Sequence, residues 1–130
     1  MKKMQFDDKV PIYYQIKNYL YHRMVAGELG LGEKLPAVRQ LAVDLTVNVN
    51  TVQRALREMI DEGYIAPQRG RGNFVTQDAT KIATLKQQLT TTYIQDLYGQ
   101  LHALKLTDAE IIAEIKTYIQ QRGDADDQRN

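Results

Sequence analysis

The 130-residue chain is 43% hydrophobic and 25% charged, the balance of an ordinary soluble protein with one domain or a small domain plus an appendage. It has no Cys and only two His, His22 and His102, far apart in sequence; disulfides, thiol catalysis and Cys-ligated zinc are excluded, and neither a metal site nor a histidine-based catalytic set is expected. The net charge of +1 divides unevenly: residues 1–76 carry 11 Lys+Arg against 8 Asp+Glu and residues 77–130 carry 6 against 8, so the first part can face a polyanion while the second is not expected to.

Residues 1–10 are polar around a lone Phe6 and read as a mobile arm or a loosely packed tail. Pro11 suits a first helical turn, and Ile12, Ile16, Leu20 and Met24 then recur every four residues, which predicts a helix over 11–26 ended near Gly27. Tyr13, Tyr14, Tyr19 and Tyr21 widen its apolar surface and are expected to pack on neighbouring elements. The glycines of GELGLGEKL mark a loop. Pro36 can open a second helix, with Val38, Leu41, Ala42 and Leu45 on one face.

The stretch TVNVNTVQRAL changes period. Val47 to Asn50 alternates apolar and polar as a strand would, but Val52, Ala55, Leu56 and Met59 follow the helical spacing. The better reading is a short turn, Thr46-Val47, with Asn48 as N-cap of a helix over 48–62 that Gly63 ends. Next, 64–66 and 73–76 are β-prone runs around PQRGRG, predicting a hairpin with a basic tip. From Asp78 a stripe of Ile82, Leu85, Leu89, Tyr93, Leu97, Leu101 and Leu104 predicts about six helical turns. Thr107-Asp108-Ala109-Glu110 has capping-box spacing and opens a last helix, with Ile111, Ile112, Ile115, Tyr118 and Ile119 inward. The tail GDADDQRN is expected to be disordered.

Three helices followed by a hairpin make a winged helix-turn-helix, so the predicted fold is mainly α: a winged head over 1–76, then a two-helix dimerisation tail over 77–130. On a helical projection of the third helix, Asn50, Arg54 and Arg57 lie opposite the apolar stripe, with Gln53 at the flank. Amides can bond adenine and guanidinium groups guanine, as a base-reading face requires. Arg69 and Arg71 around Gly70 suit phosphates or a narrow minor groove. Lys34 and Asn48 complete the candidate contacts to double-stranded DNA.

The segments KLPAVRQLA, NTVQRAL and GYI…RGRGNFV occur in order within residues 11–76, and this stretch resembles the DNA-binding domain of the GntR family of bacterial transcription regulators. The short two-helix tail is similar to that of the YtrA-type subgroup. The resemblance implies that Arg39 reaches DNA from the second helix, that Asn50 and Thr51 open the recognition helix, and that Arg69 and Gly70 form the wing tip. It also implies a homodimer made by the tail, and repression. The chain departs at Ala37, where the family often has Ser, and at Val49, where many members have Arg, the side chain that could contact guanine from that position.

Leu85, Leu89, Tyr93, Leu97, Leu101, Ile111, Ile115 and Ile119 are the expected dimerisation residues, since a lone helical hairpin cannot cover them. The alternative is that the tail folds back on the head in a monomer. A C2 dimer would match a palindromic operator. No cofactor and no dedicated effector domain are expected; a small molecule at the head–tail junction, near Tyr93, Tyr98 and Tyr118, stays open. No apolar run approaches about 18 residues and no leader pattern opens the chain, so a cytoplasmic protein without membrane contact is expected. An enzyme is disfavoured, because no nucleophile–base set or phosphate loop is present. The competing reading is a winged-helix adaptor that binds protein and not DNA.

Overall fold

The computed structural model describes Met4 and residues 6–128, with side chains as far as Asp124. Among the described residues there are five helices and one two-stranded sheet: α1 (Ile12–Val25), α2 (Val38–Leu45), α3 (Val49–Asp61), β1 (Ile65–Gln68), β2 (Gly72–Val75), α4 (Ala79–Ala103) and α5 (Asp108–Gln128). They fall into two compact units, Met1–Gln87 and Gln88–Asn130. None of the helices is long and apolar enough to cross a membrane.

In the first unit α3 packs against α1, α2 and β1. Its core combines Ile16, Leu20 and Met24 of α1, Leu41 and Leu45 of α2, Val52, Ala55, Leu56 and Met59 of α3, Ile65 and Val75 of the strands, and Leu85 of α4. The helical spacing of these residues is what buries one face of each helix. Ile12, at the start of the predicted α1 stripe, remains exposed. Ahead of it the Gln15 side chain donates to the carbonyls of Asp7 and Val10 and accepts from the Asp7 N–H, so the described part of the N-terminal arm, from residue 7, is folded onto the first turn of α1.

Pro36 does not open α2; the helix starts at Val38 with Ala37 at the cap. The cause is tertiary. The Leu35 N–H donates to Asn73 O at 2.8 Å and the Val75 N–H to Glu33 O at 2.8 Å, which draws 33–35 along the free edge of β2 and holds it extended. At its other end α2 closes with Thr46 in the left-handed conformation (φ 57, ψ 53). There the Val47 N–H donates to Ala42 O and the Thr46 N–H to Val43 O, the Schellman arrangement that satisfies the last carbonyls and turns the chain sharply into α3. Gly63 (φ +87) does the same for α3, with the Tyr64 N–H on Met59 O.

β1 and β2 pair antiparallel in the register Ile65↔Val75 to Gln68↔Gly72, so Pro67 and Gln68 belong to the strand and the tip shortens to Arg69-Gly70-Arg71. Pro67 is tolerated because β1 is an edge strand.

In the second unit the predicted capping box forms in both directions: the Glu110 N–H donates to Thr107 Oγ1 at 3.2 Å and the Thr107 N–H to Glu110 Oε1 at 2.9 Å. Hydrogen bonds to the carboxylate from the Thr107 backbone N–H, first, and from the Thr107 side chain hold the Glu110 carboxyl below its usual range. Lys105 is left-handed (φ 71) between the helices, and the Tyr98 hydroxyl donates to Asp108 Oδ1 at 3.0 Å. α5 runs on to Gln128 through most of the segment expected to be disordered; Arg129 and Asn130 lie outside the described residues. Of the α5 residues expected to face inward, Ile111 is buried, while Ile112, Ile115, Tyr118 and Ile119 are exposed within one chain. A stripe is set by sequence; what covers it is not.

Candidate nucleic-acid interface

α3 begins where a side chain makes it begin. Asn48 has extended backbone (φ −69, ψ 139), and its Oδ1 accepts the Asn50 N–H at 2.7 Å. That commits the Asn48 oxygen to the helix end. Asn50, Gln53, Arg54 and Arg57 then emerge exposed, Thr51 is half-buried, and Val49 sits half-buried at the edge of the apolar face.

Gln53, Leu56, Arg57 and Ile60 border an open recess closed by Val38 of α2 and Asn73 of β2. The wing side of α3 is therefore its Gln53–Arg57 side. A second open recess lies between the start of α2 and the wing, lined by residues 34–38 with Arg71, Gly72 and Asn73. Lys34 lies across the wing there: a Cβ on Gly72 would stand 3.0 Å from Lys34 Cε, and Gly72 itself has φ +114. Only glycine meets both conditions without strain. Lys34, Arg39, Arg69, Gly70 and Arg71 are all exposed. No side chain caps α2, because Ala37 has no oxygen to offer.

The other side of α3 carries a feature that the reading of residue types missed. Residues 13, 17 and 21 of α1 face residues 54 and 58 of α3 and its C-cap, Glu62, each set spaced by one helical turn. The Arg54 guanidinium lies over the Tyr13 ring, 3.7 Å from its centroid, and Arg54 Nε stands 3.7 Å from Glu58 Oε2. Lys17 Nζ is 3.6 Å from Glu58 Oε1 and 3.0 Å from Glu62 Oε1. The Tyr21 hydroxyl donates to Glu62 Oε1 at 2.5 Å, and its ring meets Tyr64 edge to face. Burial alone would lower the Lys17 pKa, but Glu62 and then Glu58 outweigh it and raise it. Burial, reinforced by the bond to Glu62, pushes the Tyr21 hydroxyl well above its usual range. These side chains fix the rotation and axial position of α3 on α1 by polar contacts as well as packing. Their sequence signal was the matched spacing of Tyr13, Lys17 and Tyr21 with Arg54, Glu58 and Glu62.

An exposed amide- and arginine-bearing helix, held rigidly beside a basic hairpin, is what insertion into a DNA groove requires. Residues 12–75 match the sequence profile of the bacterial regulatory proteins of the gntR family. Across 88% of this chain and 94% of the relative, the sequence is 39% identical to the uncharacterized HTH-type transcriptional regulator YhcF of Bacillus subtilis (strain 168). It is 35% identical to the HTH-type transcriptional repressor YtrA of the same organism, over 82% of this chain and 88% of that one. A solved structure, a GntR family transcriptional regulator from Listeria monocytogenes, superposes with a TM-score of 0.81 at 35% identity, covering 86% of this chain and 98% of that one.

Proposed function

Because the chain belongs to the GntR family of bacterial regulatory proteins, in its YtrA-like subgroup, and is a DNA-binding transcription regulator of that type, we propose that it is a cytoplasmic repressor that grips a palindromic operator as a homodimer. The observation that carries this reading is the exposed Asn50–Gln53–Arg57 face of α3 next to the wing. Asn50 and Gln53 supply amides for adenine edges and Arg57 a fork for guanine, while Lys34, Arg39, Arg69 and Arg71 take phosphates or the minor groove. Thr51 stands at the leading turn. Asn48 serves mainly as the cap.

Homodimerisation is supported by the apolar surface of the second unit. Ile94 is 61% exposed, Tyr118 66% and Ile119 61% in the single chain, more than an isolated helical pair sustains in water. Leu85 is already buried in the first unit and Ile111 in the second, so the surface offered to a second copy runs through Leu89, Tyr93, Leu97, Leu101, Ile115 and Ile119. Two copies in C2 symmetry would present two heads to two half-sites. Repression is supported by the function named for the 35%-identical relative.

The test is selection of bound duplexes from a random pool, with sedimentation of the free protein at micromolar concentration. The reading expects an inverted repeat, affinity that falls steeply with salt, and a dimer. A monomer at all concentrations, or binding without sequence preference, would refute it.

A further inference from the structure

We propose that Tyr13 is a positioning residue for DNA recognition: it holds Arg54 against α1, so that Arg54 grips the phosphate backbone beside the groove and leaves base reading to Asn50, Gln53 and Arg57. This rests on the regulator reading above and assigns the division of labour within its recognition helix.

The geometry separates Arg54 from the other polar residues of α3. At 100° per residue it lies about 40° from Asn50 on the side of Glu58, whereas Arg57 and Gln53 lie about 20° and 60° away on the side of the wing. One face of its guanidinium is occupied by the Tyr13 ring at 3.7 Å, and its Nε is turned to Glu58 at 3.7 Å. Held there, its fork stands over the α1 flank of the helix, away from the face of Asn50, Arg57 and Gln53. Stacking occupies the face of the fork and not its rim; the terminal N–H groups remain available in the guanidinium plane, and the side chain is 61% exposed. A phosphate on the flank of the groove meets that rim without rearrangement. An arginine already held in place also loses less rotamer freedom on contact.

Glu58 does not cancel the charge. Its Oε1 is shared with Lys17, itself buried and also paired with Glu62, so the carboxylate anchors the base of the arginine while the cationic rim faces outward. Tyr13 is the end rung of the α1–α3 ladder, and Lys17 behind it fixes the separation at which the ring and the guanidinium meet.

The experiment compares wild type, Tyr13→Phe, Tyr13→Leu, Arg54→Ala and the Tyr13→Leu/Arg54→Ala pair, using the selected duplex, single-base variants of it and an unrelated duplex across a KCl series. Arg54→Ala is expected to weaken all duplexes alike by about three- to tenfold, to reduce the log–log salt slope by about one, and to leave the base preference unchanged. Tyr13→Phe, which keeps the ring, should match wild type. Tyr13→Leu should lose several-fold in the Arg54 background and nothing further in the Arg54→Ala background. A role for Tyr13 in packing alone would instead weaken binding equally in both backgrounds, and that result overturns the proposal. So does a shift of preference at one base pair on Arg54→Ala. Should Tyr13→Leu fail to give a cooperative melt, Arg54→Ala and Tyr13→Phe, which leave the α1–α3 core in place, still decide. Wild-type protein that prefers no sequence refutes the regulator reading itself; a wild-type preference that Arg54→Ala alters refutes only this inference.

Discussion

Replacing Lys17 by Met removes one charge from the α1–α3 interface and keeps most of its packing. The residue is 7% exposed, with its ammonium 3.0 Å from Glu62 and 3.6 Å from Glu58. At such distances an ion pair near a protein surface gains about 4 kcal/mol of direct attraction, before the cost of burying the ammonium is subtracted. The carboxylate side chains are 39% and 42% exposed, so solvent screens part of that attraction and can rehydrate them once the ammonium is gone. Methionine restores apolar contact along the stem. The expected net loss is about 1–2 kcal/mol, below the roughly 3–5 kcal/mol of a fully buried pair broken on one side. Urea unfolding of wild type, Lys17→Met, Glu62→Gln and the double variant measures it. The double variant should be less destabilised than the sum of the single ones by about 0.5 kcal/mol or more, because each single change strands the other's partner. A Lys17→Met variant within roughly 0.3 kcal/mol of wild type, or strict additivity, would refute the view that this ladder holds α3 in place.

The Thr46→Gly variant should be more stable by about 1 kcal/mol, as read by the urea midpoint, since a β-branched residue at φ 57 is strained where glycine is not. Gly72→Ala should cost about 1–3 kcal/mol by the same measurement, because φ +114 disfavours any Cβ and the added methyl would meet Lys34 Cε at 3.0 Å. Alkaline stability follows from Lys17 and Tyr21, whose pKa values both rise on folding from 10.5 and 10.0. Their contribution is fully present below about pH 10 and is lost as the unfolded chain begins to release protons that the folded state retains, so the thermal midpoint should fall above that pH, and less so in Tyr21→Phe. A Thr107→Ala change, which removes one arm of the capping box, should lower α5 helicity in far-UV circular dichroism and cost about 1 kcal/mol.

Features decided by neighbours in the chain were legible without coordinates. Asn48 caps α3 because its side chain reaches an N–H two residues on; Gly63 ends the helix because it alone tolerates the left-handed turn freely; Thr107 and Glu110 cap α5 in both directions. The apolar stripes of α1, α2 and α3 likewise named most of the core, since helical spacing places those residues on one face. What required the tertiary structure was every feature that depends on a partner distant in sequence. Pro36 failed to open α2 because Asn73 claims the Leu35 N–H from a strand nearly forty residues away. The wing tip narrowed to three residues because pairing with β2 extended β1 through Pro67 and Gln68. Arg54, read from its type as one more base-reading arginine, lies on Tyr13 because the fold sets α1 and α3 side by side with their polar rungs in register. Caps and periodicity act within one or two helical turns, where sequence distance and spatial distance are nearly the same; hydrogen bonds between strands and contacts between helices are made by residues that only folding brings within reach.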